Sequence, residues 1–143
     1  MSREIKFRVI AKNKVVGYER IFNGQWEWMC LELNPDNGIR WVNGTFKGEN
    51  LIRDEFTSLH DKNGKEIYEG DILNGWRKGS NSDREYTGII EWQQQQAGWV
   101  IKCGKYIMEI LALAMSGDGI ITQLDSFEVI GNIYENPELL NQK

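Results

Sequence analysis

Apolar and polar residues alternate from the start of the chain. Ile5, Phe7 and Val9 are separated by Lys6 and Arg8, which is the period of a half-buried strand. Lys12-Asn13-Lys14 reads as a hairpin tip, and Val15 to Phe22 as the returning strand. Asn23-Gly24 is a strong two-residue turn signal, because both residues tolerate positive φ. Gln25 to Leu33 then places Trp26, Trp28 and Cys30 on one face and Glu27 on the other. Asn34-Pro35-Asp36-Asn37-Gly38 is a polar turn. Ile39 to Phe46, with Trp41 in it, is a further strand, and Arg53 to Thr57 extends toward the middle of the chain. The first part is thus predicted as short antiparallel strands joined by Gly and Asn turns.

The middle carries two reversals. Asp61-Lys62-Asn63-Gly64 is a polar tip in which Gly64 supplies φ > 0 and Asp61 and Asn63 bond nearby backbone. Glu69-Gly70-Asp71 is the second, with Gly70 permitting the reversal and the Asp71 side chain capping it. Ile72-Leu73 resumes a strand. Asn74 to Arg84 is rich in Gly, Ser and Asn and predicts a mobile loop. Thr87 to Trp92, Trp99 to Cys103, Ile120 to Thr122 and Phe127 to Tyr134 read as strands, with Gln93 to Gly98 turning the first pair. Tyr106 to Met115 fits either period: Ile107, Ile110, Leu111 and Ala114 would share one helical face. Pro137 predicts a last helical turn capped by Asn136.

Those segments resemble the signature of the YopX family, small proteins found mostly in phages and prophages. The match runs through Thr57-Ser58-Leu59-His60-Asp61 to Leu73, through Glu128-Val129-Ile130-Gly131-Asn132-Ile133-Tyr134-Glu135-Asn136-Pro137-Glu138-Leu139-Leu140, and through Arg3 to Arg8. Asp61, Asn63, Gly64, Glu69, Gly70, Asp71, Gly131 and Asn132 carry it. The resemblance implies an α+β, mostly β, architecture: an N-terminal antiparallel-strand subdomain over 1–66, followed by a small SH3-like β-barrel over 67–143. It implies no biochemical activity. Two positions depart from the family's Thr-Gly-Leu-Lys-Asp. Ser58 stands for Gly, which predicts φ < 0 there, and His60 stands for Lys, which removes a fixed positive charge.

Composition narrows the function classes. The 143 residues suffice for one domain or two small subdomains. Six Trp give a small β-rich body large buried areas. The net charge of −4 is uneven. Residues 1–56 hold nine Lys/Arg and eight Asp/Glu, +1; residues 57–143 hold eight and thirteen, −5. The acidic C-terminal part argues against broad contact with phosphate backbones. The basic N-terminal strands, with Arg8, are where a nucleic acid would bind, stacking bases on Trp26, Trp28 and Trp41. The competing reading of these aromatics is core or subunit interface.

Catalytic patterns are scarce. Cys30, Cys103 and the single His60 cannot assemble a two-Cys, two-His zinc set. The two cysteines are read as buried thiols in a reducing compartment. Glu66, Glu69 and Asp71 could approach a hard cation, but not at EF-hand spacing. No signal-peptide run and no stretch of roughly 20 apolar residues is present, which predicts a cytoplasmic protein without membrane contact. The sequence therefore predicts a non-enzymatic accessory protein without cofactor or metal, acting as a homo-oligomer and by binding. A nucleic-acid binder is the alternative, and a small-molecule enzyme the second alternative.

Overall fold

The computed structural model describes residues 4–31, 40–77, 83–95, 97–104, 106–109, 124 and 126–141. These contain strands β1 to β11 and a 3₁₀ turn at Pro137–Asn141. The chain is mostly β, in two antiparallel sheets, and neither closes into a barrel among the described residues. The expected α content is confined there to the 3₁₀ turn. The chain divides into two compact units, Met1–Phe56 and Thr57–Lys143.

In the first unit the strands run in the order β4-β3-β2-β1-β5. β1 spans Ile5–Ala11, β2 Lys14–Phe22, β3 Gln25–Cys30, β4 Val42–Asn43 and β5 Ile52–His60. Two tight hairpins join the first three. Lys12 and Asn13 have φ of 51° and 61°, and Asn23 and Gly24 have 51° and 77°, the signs that primed hairpin turns require. The expected strand from Ile39 to Phe46 is reduced to the two residues of β4, and the turn at 34–38 lies outside the described residues.

A second layer is laid over this sheet by Phe46. Gly17 pairs with Val9 on one side and Cys30 on the other. A Cβ at Gly17 would overlap the Phe46 ring and the Met29 carbonyl, so only Gly lets Phe46 approach. Glu19, fully buried, fixes that segment. Its carboxylate accepts the Phe46 N–H at 2.7 Å and the Arg53 guanidinium. The bond to Glu19 raises the Arg53 pKa against the opposing effect of burial.

The second unit is organised on the sheet β10-β9-β8-β7-β11. Its strands are β7 Asp71–Arg77, β8 Arg84–Gln93, β9 Gly98–Cys103, β10 Tyr106–Glu109 and β11 Phe127–Asn132, and β6, Glu66–Tyr68, pairs with the end of β5. Ile67, Leu73, Ile90, Ile101, Leu124 and Phe127 form its core, with Leu59, Tyr86, Trp99, Cys103 and Val129 packed against it.

Several sequence expectations change here. Asn74 to Arg77 extend β7 rather than opening a loop. The polar Asn74 is satisfied across the strand, donating to Glu85 at 2.8 Å and Thr87 at 2.9 Å. Gly75 leaves the space that the Phe127 ring fills. Residues 78–82, and the strand expected at Ile120–Thr122, lie outside the described residues. The ambiguous segment begins as β10, paired with β9 from Tyr106↔Cys103 to Glu109↔Val100; its continuation, 110–115, lies outside them. Asn136 does not cap the last turn with its side chain, since its Oδ1 accepts the Asn132 N–H at 3.3 Å.

Candidate functional site

The signature begins with a local bend. The Thr57 hydroxyl donates to the Ile67 carbonyl at 2.8 Å and accepts the Leu59 N–H at 3.1 Å. Closing that short ring holds Ser58 at φ 71°, contrary to the expected negative value. The side-chain turn at Thr57 thus outweighs a left-handed cost of about 1–2 kcal/mol for a residue with a Cβ. Beyond it, the His60 carbonyl accepts the Leu124 N–H at 2.8 Å.

Asp61 is the centre of the turn and is 1% exposed. Oδ1 accepts the N–H groups of Asn63 and Lys65, each at 2.9 Å. Oδ2 accepts the Val129 N–H, also at 2.9 Å. Gly64, at φ 83°, lets its N–H return to the Asp61 carbonyl at 2.9 Å. Lys62 N–H reaches the Phe127 carbonyl at 2.9 Å, and the Asn63 amide reaches Glu128 at 3.4 Å. Among the described residues, β11 is the last strand of its sheet. The bonds to Val129 and Phe127 therefore occupy main-chain groups that another strand would otherwise take.

The second reversal repeats the device. Asp71, 1% exposed, accepts the Tyr68 N–H at 2.8 Å. Gly70, at φ 85°, donates to the Ile90 carbonyl at 2.9 Å and accepts the Ile133 N–H at 3.0 Å. Asn132 Oδ1 accepts the N–H groups of Tyr134 at 3.0 Å and Glu135 at 2.9 Å. A Cβ at Gly131 would fall on the Asn136 side chain. The two signature segments are thus joined through Asp61–Val129, Asn63–Glu128 and Gly70–Ile133. Glu69 sits half-buried in the reversal between them.

Chemically, this arrangement orders backbone. Glu66 receives the Tyr68 hydroxyl at 3.0 Å while Asp71 turns to the Tyr68 N–H, so the carboxylates considered for a cation have separate partners. Among the described residues, no three His, Cys, Asp or Glu side chains gather as metal ligands. No helix among them is long and apolar enough to cross a membrane.

The aromatic residues do not form one surface. Register pairs Ile21 with Trp26 and Glu19 with Trp28, whereas Arg20 pairs with Glu27. Cross-strand partners share a face, so Trp26 and Trp28 lie on one side of the sheet. Trp41 lies under the Arg20 guanidinium, 4.1 Å from its ring centroid, and so on the other. Trp28 meets Phe46 edge to face at 4.9 Å. Trp26 stacks on Phe7 at 6.0 Å and stays 40% exposed. Arg8 is buried against Asp54 at 3.1 Å.

Sequence reasoning missed the rest of Trp26's surroundings. Ile5 pairs with Ile21, which pairs with Trp26, forming an apolar ladder across three strands. Val42, opposite Trp28, adds to the same side. Ile5 and Val42 are 44% and 50% exposed. The alternation of Ile5 and Phe7 with Lys6 signalled such a face, but only the register shows that Ile21 and Trp26 complete it.

A two-unit, mostly β protein whose signature residues stitch backbone to backbone defines the class. The YopX protein family model matches residues 6–141, and the chain belongs to the YopX family. It is also similar to the crystal structure of protein EF1440 from Enterococcus faecalis. That likeness has 21% identity and a TM-score of 0.52 over 97% of this chain and 99% of that one, and it bears on fold alone. No match was found among curated proteins.

Proposed function

We propose that the protein is a non-enzymatic, cytoplasmic accessory protein of phage or prophage type that acts by self-association and binding. One observation carries the reading: the ladder Ile5–Ile21–Trp26, extended by Phe7 and Val42, leaves apolar side chains of the first unit in water. Exposed aromatics ringed by aliphatic residues are the usual anchors of protein interfaces. The signature's buried carboxylates accept main-chain N–H groups, which supports a structural role for Asp61 and Asp71 over a catalytic one.

In this reading the segment 67–143 is an SH3-like barrel unit. Its support is strand order: β11, the last strand, returns beside β7, while β8, β9 and β10 follow on the other side. An SH3-like barrel uses the same connectivity.

Nucleic-acid binding by the first strands is less favoured. Lys6, Arg8, Arg20 and Arg53 face Glu4, Asp54, Glu27 and Glu19 within 4.0 Å. Phosphate contact would have to displace those carboxylates. Light scattering across the micromolar range tests self-association: the scattering mass should rise with concentration, and a strict monomer overturns the proposal. Salt-sensitive retention of the monomer on single-stranded DNA or RNA would favour the nucleic-acid reading instead.

A further inference from the structure

The chain contains five Asn-Gly pairs, at 23–24, 37–38, 43–44, 63–64 and 74–75. Asn-Gly is the dipeptide most prone to spontaneous deamidation, because Gly leaves its own N–H nitrogen unhindered. That nitrogen attacks the Asn Cγ, a C–N bond forms, and ammonia departs, leaving a cyclic succinimide. Water then opens the ring to Asp or to isoAsp, which carries one extra methylene in the main chain. No oxidant or cofactor enters, so the rate is set by how freely the Gly nitrogen and the Asn amide can meet.

The structure separates the four described pairs on that criterion. Gly44 N–H is held by the Trp26 carbonyl at 2.9 Å, and Gly64 N–H by the Asp61 carbonyl at 2.9 Å. The turn containing Asn63 is further fixed by the two bonds to Asp61 Oδ1. Asn74 and Gly75 lie inside β7, and the Asn74 amide donates to Glu85 and Thr87. Gly24 differs. Its N–H has no acceptor among the described residues, and Asn23, Gly24 and Gln25 are all exposed at the β2–β3 tip. Asn37–Gly38 lies outside the described residues.

We infer that Asn23 is a deamidation site of the folded protein, and that Asn43, Asn63 and Asn74 are protected by their hydrogen bonds. Either product places a new negative charge at the tip, and isoAsp adds a main-chain kink, one residue from Phe22 and three from Trp26. An isoAsp cannot reproduce the pair of positive φ angles at 23 and 24 on which the two-residue turn depends.

The test is incubation of the full chain in mildly alkaline buffer, sampled over days, with tandem mass spectrometry placing each amide-to-acid mass gain by residue. Asn23 should convert about tenfold or more faster than Asn43, Asn63 and Asn74, because opening a paired N–H adds a local free-energy cost that an unpaired one lacks. The same chain in concentrated urea is the control, and there the four rates should converge. Conversion of any of the three as fast as Asn23 in the folded chain overturns the inference. So does a spread of rates that persists in urea, since it would come from sequence rather than structure.

Discussion

Asp61 and Val129 are 68 residues apart, and the Asp61 Oδ2 accepts the Val129 N–H at 2.9 Å. The bond ties a four-residue turn to the outer edge of the last strand of a sheet. With two more N–H groups on Oδ1, one buried carboxylate organises both signature segments. Charge-assisted bonds of this type are roughly twice as strong as neutral ones.

Asp61→Ala leaves three main-chain donors without their acceptor. The expected loss is about 2–4 kcal/mol of unfolding free energy, read as a lower urea midpoint. Asp61→Asn keeps one acceptor oxygen and should lose less. If alanine and asparagine cost the same small amount, the carboxylate is not what holds Val129. The alanine variant should also aggregate more readily, because the β11 edge loses its cover.

Gly64→Val isolates a conformational cost. A Cβ there meets nothing within 4 Å, and φ is 83°. The expected destabilisation is about 1–2 kcal/mol, since β-branched residues are strained in the left-handed region. Gly64→Asn should recover most of it, because Asn tolerates that region. Equal denaturation midpoints for Gly, Asn and Val would show that the turn relaxes freely.

Gly17→Ala tests close approach instead. Its φ is not positive, but the added Cβ would meet the Phe46 ring and the Met29 carbonyl. Overpacking of this kind costs typically about 1–3 kcal/mol. The thermal midpoint should fall, and loss of Phe46 burial should accompany it. An unchanged midpoint would mean that the segment carrying Phe46 is not fixed on the sheet.

Cys103 gives a pH dependence. Both cysteines are free thiols, and burial raises the Cys103 pKa above 9.0. A group whose folded pKa is raised contributes stability that is full below the unfolded pKa and is lost as pH climbs through the folded one. Stability from this thiol should therefore decline above pH 9.0. Alkylation in the native state at neutral pH should be slower at Cys103 than in the unfolded chain. Equal rates would contradict the burial argument.

Much of the fold was legible in local pattern. Alternation in Ile5–Val9, the Asn23-Gly24 turn and the Asp61–Gly64 tip all depend on neighbours in sequence, and each has its expected geometry. What failed depended on distant partners. Asn74 reads as loop until Glu85 and Thr87 stand opposite it. Ser58 reads as ordinary backbone until the Thr57 hydroxyl bonds Ile67 and Leu59. Trp41 reads as a companion of Trp26 and Trp28 until its contact with the Arg20 guanidinium puts it across the sheet. The candidate interface was half legible: Trp26 stands out by composition, whereas Ile21 and Val42 join it only through strand pairing.

The central claim is self-association through the Trp26 face, and it is tested most directly by sedimentation velocity on wild type, Trp26→Ser and Trp28→Ala at matched concentrations. Wild type should sediment as an assembly. Trp26→Ser removes an exposed anchor and should shift the chain toward monomer with little change in melting temperature. Trp28→Ala removes a ring packed on Phe46 and should lower melting before it changes assembly. A monomeric wild type, or an assembly untouched by Trp26→Ser, would contradict the account.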